Sequence, residues 1–117
     1  MEIAEAKKGN VMVVEIVGRV DSTNADVLQT RLLKLAETET IVLIDCQRLD
    51  YISSAGLGAL LHLLKTLQKK AGRCLLCGLG ASIREVFDIS GFSKLFPILA
   101  TQEEALREAG RDSPCQK

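Results

Sequence analysis

Aromatic side chains are scarce in this 117-residue chain, which has three Phe, one Tyr and no Trp. Leu, Ile and Val therefore have to fill the core. No basic stripe interleaved with aromatics is available to follow a nucleic acid, so direct nucleic acid contact is not expected. A charge excess of either sign is also missing: 15 Lys and Arg balance 15 Asp and Glu. The longest apolar-rich run, Leu57 to Leu67, falls well short of the roughly 20 residues that cross a bilayer. The first residues, MEIAEAKKGN, lack the apolar segment of a signal peptide. These absences predict a cytoplasmic protein that does not insert into a membrane.

Histidine is scarcer still, with His62 alone. Four cysteines are present, and Cys74-Leu-Leu-Cys77 has the spacing of a redox or zinc pair. The segment RCLLCGL reads as a strand, however, and strand side chains alternate faces. Cys74 and Cys77 should then point to opposite sides and act as small hydrophobes. No metal and no cofactor is expected.

What is present is one domain's worth of alternating strands and helices, expected over residues 1–110, with 111–117 as a flexible C-terminal tail. EIAEAKKGNVMVVEIVGRVD reads as two extended segments about a turn at Lys7 to Asn10. STNADVLQTRLLKLAETE reads as a helix, with Ser22, Thr23 and Asn24 as cap candidates. Its apolar stripe is Val27, Leu28, Leu32 and Leu35. TIVLIDC is a short β-branched strand, and Gln47 to Tyr51 reads as a connection. The helix after it carries Leu57, Leu60, Leu61, Leu64 and Leu67 on one stripe, with Gly72 ending it behind Lys69 and Lys70. RCLLCGL is the next strand. Gly80 and Ser82 open a helix that ends at Ser90-Gly91. KLFPIL is a last short strand, with Pro97 marking its limit. TQEEALREAG is a terminal helix in which Thr101 and Glu104 have capping-box spacing. The order β-β-α-β-α-β-α-β-α predicts an α/β fold, a mixed and mostly parallel sheet of about five strands with about four helices.

Catalytic constellations are missing. His62 follows Ser54 by eight residues on one helix, about 12 Å along its axis, too far to activate that hydroxyl directly. Gly78-Leu-Gly80-Ala-Ser-Ile83 imitates the start of a dinucleotide fingerprint but places Ile83 where a small residue is required. Asp21 follows a glycine-containing turn at a strand end. It can belong to a functional loop there or simply favour the next helix start. The chain is expected not to be an enzyme.

Two motifs remain. One is Gly18-Arg19-Val20-Asp21 ahead of a helix, and the other is Tyr51-Ile-Ser-Ser-Ala-Gly-Leu-Gly58. Together with SIREVFDISGFSKLFPI they make the chain, from Ile3 to about Ala109, resemble bacterial anti-anti-sigma factors, the anti-sigma factor antagonists built from a single STAS domain. The resemblance implies a partner-switching module. Unphosphorylated, it binds an anti-sigma factor that is also a GHKL-type serine kinase; phosphorylation releases it and a serine phosphatase resets it. Ser54 falls on the phosphorylated serine. Ser53, where many members have Asp, is the alternative target. The implied partner-binding set is Asp21, Ser53, Ser54, Ala55, Gly56, Leu57 and Gly58. His62, Leu63 and Lys65, off the main Leu stripe, are candidates to extend it. A monomer or weak dimer is expected. The alternative is an unphosphorylated STAS subunit regulating a membrane transport system or a stress-signalling scaffold.

Overall fold

The computed structural model describes residues 1–110; the expected tail at 111–117, with Cys115, lies outside the described residues. The chain begins with an antiparallel pair, β1 (Glu2–Lys8) and β2 (Val11–Val20), turned at Gly9. Then follow α1 (Ala25–Leu35), β3 (Ile41–Asp45), β4 (Leu49–Ile52), α2 (Ser54–Gln68), β5 (Arg73–Cys77), α3 (Ala81–Ser90), β6 (Ile98–Leu99) and α4 (Gln102–Gly110). The strands lie in the order β1-β2-β3-β5-β6, and every pairing after the first is parallel. The mixed, mostly parallel α/β architecture is the expected one.

The sheet has one more strand than the periodicity predicts. Leu49–Ile52, read from sequence as a connection, is β4, paired in parallel with the far end of β2. Four residues bounded by Arg48 and Ser53 carry too little alternation to announce a strand. Their exposure runs buried, exposed, exposed, buried, because the ladder is irregular there.

Burial follows the layers. β3 is buried at all five positions, as a central parallel strand covered on both faces must be. On one face, α1, α2 and α3 press Leu28, Leu32, Leu60, Leu64 and Phe87 against Val14, Ile16 and Ile44. On the other, α4 lays Ala105 and Ala109 over Val13, Leu43 and Leu75. Cys74 belongs to the first cluster and Cys77 to the second, so the CxxC spacing brings the two thiols to opposite faces. Burial pushes both thiols up to about 12, which leaves them inert at neutral pH.

Three helix assignments need correction. Val27, expected on the buried stripe of α1, is 59% exposed, because α1 touches the core along a narrower line through Ala25, Leu28 and Leu32. Leu63, expected on the open side of α2, is fully buried, whereas Leu61 is only half-buried. α2 packs on both the sheet and α1, so its apolar arc is wider than one stripe. Finally, α2 ends through Ala71, the residue with positive φ (61°), rather than through Gly72. Gly72 answers a different demand: a Cβ there would stand 2.3 Å from the carbonyl oxygen of Thr40.

Candidate functional site

The carboxyl ends of β2 and β4 lie side by side, with Arg19 opposite Tyr51 and Val20 opposite Ile52. One hydrogen bond then joins the chain segments that leave them. The backbone N–H of Ser53 donates to the carbonyl of Val20 at 2.8 Å. The turn that begins at Asp21 and the start of α2 are thus one assembly, although 32 residues separate Asp21 from Ser53 in the sequence.

Ser53 caps α2. Its backbone is extended (φ −85°, ψ 172°), and its hydroxyl oxygen accepts from the N–H of Gly56 at 3.2 Å. Ser54 is the first helical residue, exposed, and its side chain makes no hydrogen bond among the described residues. The two hydroxyls therefore divide the work, with the cap on Ser53 and a free nucleophilic group on Ser54. Ala55 and Gly58 are exposed beside it, while Gly56 and Leu57 are buried. Gly56 is demanded by packing, since a Cβ there would lie 2.7 Å from both Ile52 Cγ1 and Val20 Cγ1. Gly58 faces open space within 4 Å. A glycine in an exposed helical turn costs up to about 1 kcal/mol relative to Ala, and packing within the described residues does not require this one.

Asp21 is occupied locally. Its carboxylate accepts from the hydroxyl of Thr23 at 2.6 Å and from the N–H of Thr23 at 3.0 Å. These bonds hold its pKa below the ordinary 3.8. Asn24 braces the same turn: its Oδ1 accepts from the N–H of Asp21 at 2.9 Å and its Nδ2 donates to the carbonyl of Arg19 at 3.0 Å. Asn24 stands at the cap position of α1 but makes no side-chain cap bond to that helix. Thr23 and Asn24 are cap candidates by sequence, and the structure uses both to shape the Asp21 turn instead.

Of the residues expected to extend the site, His62 and Lys65 are exposed on α2 and Leu63 is removed from the surface. The Gly78 turn lies apart. It borders a cavity of about 230 Å3, lined also by Asp45, Gln47, Thr101 and Gln102. Asp45 is 5% exposed and takes bonds from the Gln47 N–H at 3.0 Å and the Gln102 amide at 2.8 Å. A carboxylate in that wall is the wrong charge for a phosphate, so the glycines serve the βα turn. Gly78 itself has φ of 72°. No group of three or more His, Cys, Asp or Glu side chains suited to a metal ion occurs among the described residues. No described helix is long and apolar enough to cross a membrane.

The family model of the STAS domain matches residues 2–105 of this chain. BtrV of Bordetella bronchiseptica, whose name gives it provisionally as an anti-sigma factor antagonist, is 39% identical over 106 residues, covering 90% of this chain and 91% of BtrV. The anti-sigma-B factor antagonist of Bacillus subtilis is 32% identical over 94 residues, covering 80% of this chain and 86% of that protein. The crystal structure of an anti-sigma factor antagonist from Mycobacterium paratuberculosis superposes with a TM-score of 0.85 at 25% identity, covering 95% and 94% of the two chains. The chain belongs to the STAS-domain family, whose domains are non-catalytic regulatory modules. Within that family it stands with the anti-sigma factor antagonists.

Proposed function

We propose that this chain is a phosphorylation-controlled anti-sigma factor antagonist acting in the cytoplasm. Unphosphorylated, it holds an anti-sigma factor that is also a GHKL-type serine kinase. The kinase transfers phosphate to Ser54 and lets go, and a serine phosphatase restores the binding state. The observation that carries this reading is the division between the two serines. Ser53 is committed to the cap, whereas Ser54 is exposed and unbonded at the first turn of α2.

Phosphate on Ser54 adds a charge of about −1.5 to −2. The positive end of α2 accommodates it, and no acidic residue occupies the first turn of that helix. The fold therefore survives the modification. A partner seated over Ser54, Ala55 and Gly58 does not tolerate it, because an unpaired anion in a dry interface costs several kcal/mol. Each 1.4 kcal/mol is a factor of ten in affinity.

The test is phosphopeptide mass spectrometry after incubation with the native kinase and ATP, beside binding by Ser54→Ala and Ser54→Asp. Phosphate on Ser54, retention of the kinase by Ser54→Ala and loss by Ser54→Asp are expected. A folded Ser54→Asp that binds as tightly as the parent overturns the mechanism. Phosphate found on Ser53 overturns the choice of residue.

A further inference from the structure

The aromatic residues divide sharply. Phe87 and Phe96 are buried, and Phe92 packs with them at centroid distances of 6.4 and 6.5 Å. Tyr51 is instead 41% exposed. The guanidinium carbon of Arg19 lies 4.4 Å from the centroid of its ring.

This contact is built by the backbone. Leu49 pairs with Gly18 and Tyr51 with Arg19, which leaves Asp50 as the extra residue of a β-bulge. The bulge resets the alternation, so Leu49 and Ile52 both turn into the core while Tyr51 stands on the opposite face with Arg19. Without it, Tyr51 would share the face of Leu49 and be drawn inward. Neither Arg19 nor the exposed Arg48 makes a salt bridge among the described residues. Asp50, in the bulge itself, is exposed and makes a salt bridge with neither, and the Asp21 carboxylate bonds to Thr23 and feels the Arg19 charge only weakly, at longer range.

The geometry points to Arg19 and Tyr51 as an anchor for the partner that covers Ser54. The partner would bring a carboxylate to the open edge of the guanidinium and an apolar side chain to the Tyr51 ring. This inference rests on the Ser54 reading above. Three features support it. Tyr51 precedes the cap Ser53 by two extended residues, about 7 Å of backbone, a span that an interface of ordinary size centred on Ser54 covers. The ring holds the guanidinium in place, which lowers the ordering cost of binding. Arg19 and Arg48, neither held in a salt bridge among the described residues, favour an anionic surface. Tyr and Arg are also the side chains in which interface energy concentrates.

The test uses the kinase identified by its retention on the Ser54→Ala chain, purified and titrated calorimetrically against single variants of the full chain. Arg19→Glu and Tyr51→Ala are each expected to weaken binding by about tenfold or more, with unchanged far-UV spectra. Arg19→Lys, which keeps charge but loses the fork, should fall between them and the parent. Lys94→Glu, the same charge reversal at an exposed position after α3, should bind like the parent. If Arg19→Glu and Tyr51→Ala bind within about threefold of the parent while Ser54→Asp does not bind, the anchor is overturned and the Ser54 reading stands. If Arg19→Glu loses binding and Ser54→Asp keeps it, the anchor holds and the phosphate switch fails. Equal loss in Lys94→Glu overturns the anchor, because net charge alone would then explain the effect.

Discussion

The Cα of Gly56 faces the side chain of Val20 so closely that a methyl group there would come within 2.7 Å of its Cγ1. This approach presses the first turn of α2 onto the ends of β2 and β4, where the Asp21 turn begins. The geometry of the site thus rests on the absence of one side chain.

Gly56→Ala and Gly58→Ala should therefore have opposite signs. The first forces the Val20 and Ile52 side chains apart and should cost about 1–3 kcal/mol of stability. The second meets open space and should stabilise by up to about 1 kcal/mol through helix propensity. Urea denaturation midpoints separate the two, and equal effects would count against the packing described.

The identity of the helix cap is open to the same measurement. Ser53→Ala should lose about 1 kcal/mol, because the Gly56 N–H loses its acceptor. Ser53→Asp should retain or exceed the parent's stability at low salt, since a carboxylate suits that helix end. Ser54→Ala should stay within about 0.5 kcal/mol. Exchange of these ranks would move the cap to Ser54.

The Asp21 turn should respond to acid. Thr23 holds the Asp21 pKa below 3.8, so the folded state binds that proton less readily than the unfolded chain. The sign follows: this contribution is complete above the unfolded value and is lost as pH falls through the folded value, a window below about pH 4. An NMR titration of the Asp21 carboxyl should show a depressed midpoint that rises toward the ordinary value in Thr23→Ala. A midpoint unmoved by that substitution would remove Thr23 as the cause.

At the opposite face, α4 is latched by a bridging amide. Gln102 donates to the Asp45 carboxylate at 2.8 Å, and its oxygen accepts from Lys8. Gln102→Leu should cost about 1–3 kcal/mol, since Asp45 then loses a partner while nearly out of water. Native-state hydrogen exchange should report the loss first in α4, a nine-residue helix that cannot persist undocked. Unchanged protection in α4 would show that its apolar contacts suffice.

Much of this was legible along the chain. Alternating apolar runs and glycine or proline boundaries mark every element of the order except β4, and the strand reading of RCLLCGL alone separates Cys74 from Cys77. The pair Ser53-Ser54 at a helix start was visible too, but which hydroxyl caps depends on the entry angle of the chain, and the Val20–Ser53 bond sets that angle. Arg19 and Tyr51 lay inside the two motifs without being assigned a role. The signal that marks them, an exposed Tyr in a chain poor in aromatics, requires knowing which aromatics are buried.

By itself the sequence determined the α/β class, the mixed and mostly parallel sheet and the place of a serine pair at a helix start, because periodicity and capping are local properties of neighbouring residues. Only the tertiary structure decided that Leu63 is core, that Val27 is surface, that Gly56 is obligatory and Gly58 is not, and that a bulge at Asp50 turns Tyr51 toward Arg19. Each of these depends on what stands opposite in space, and residues distant in the chain supply that.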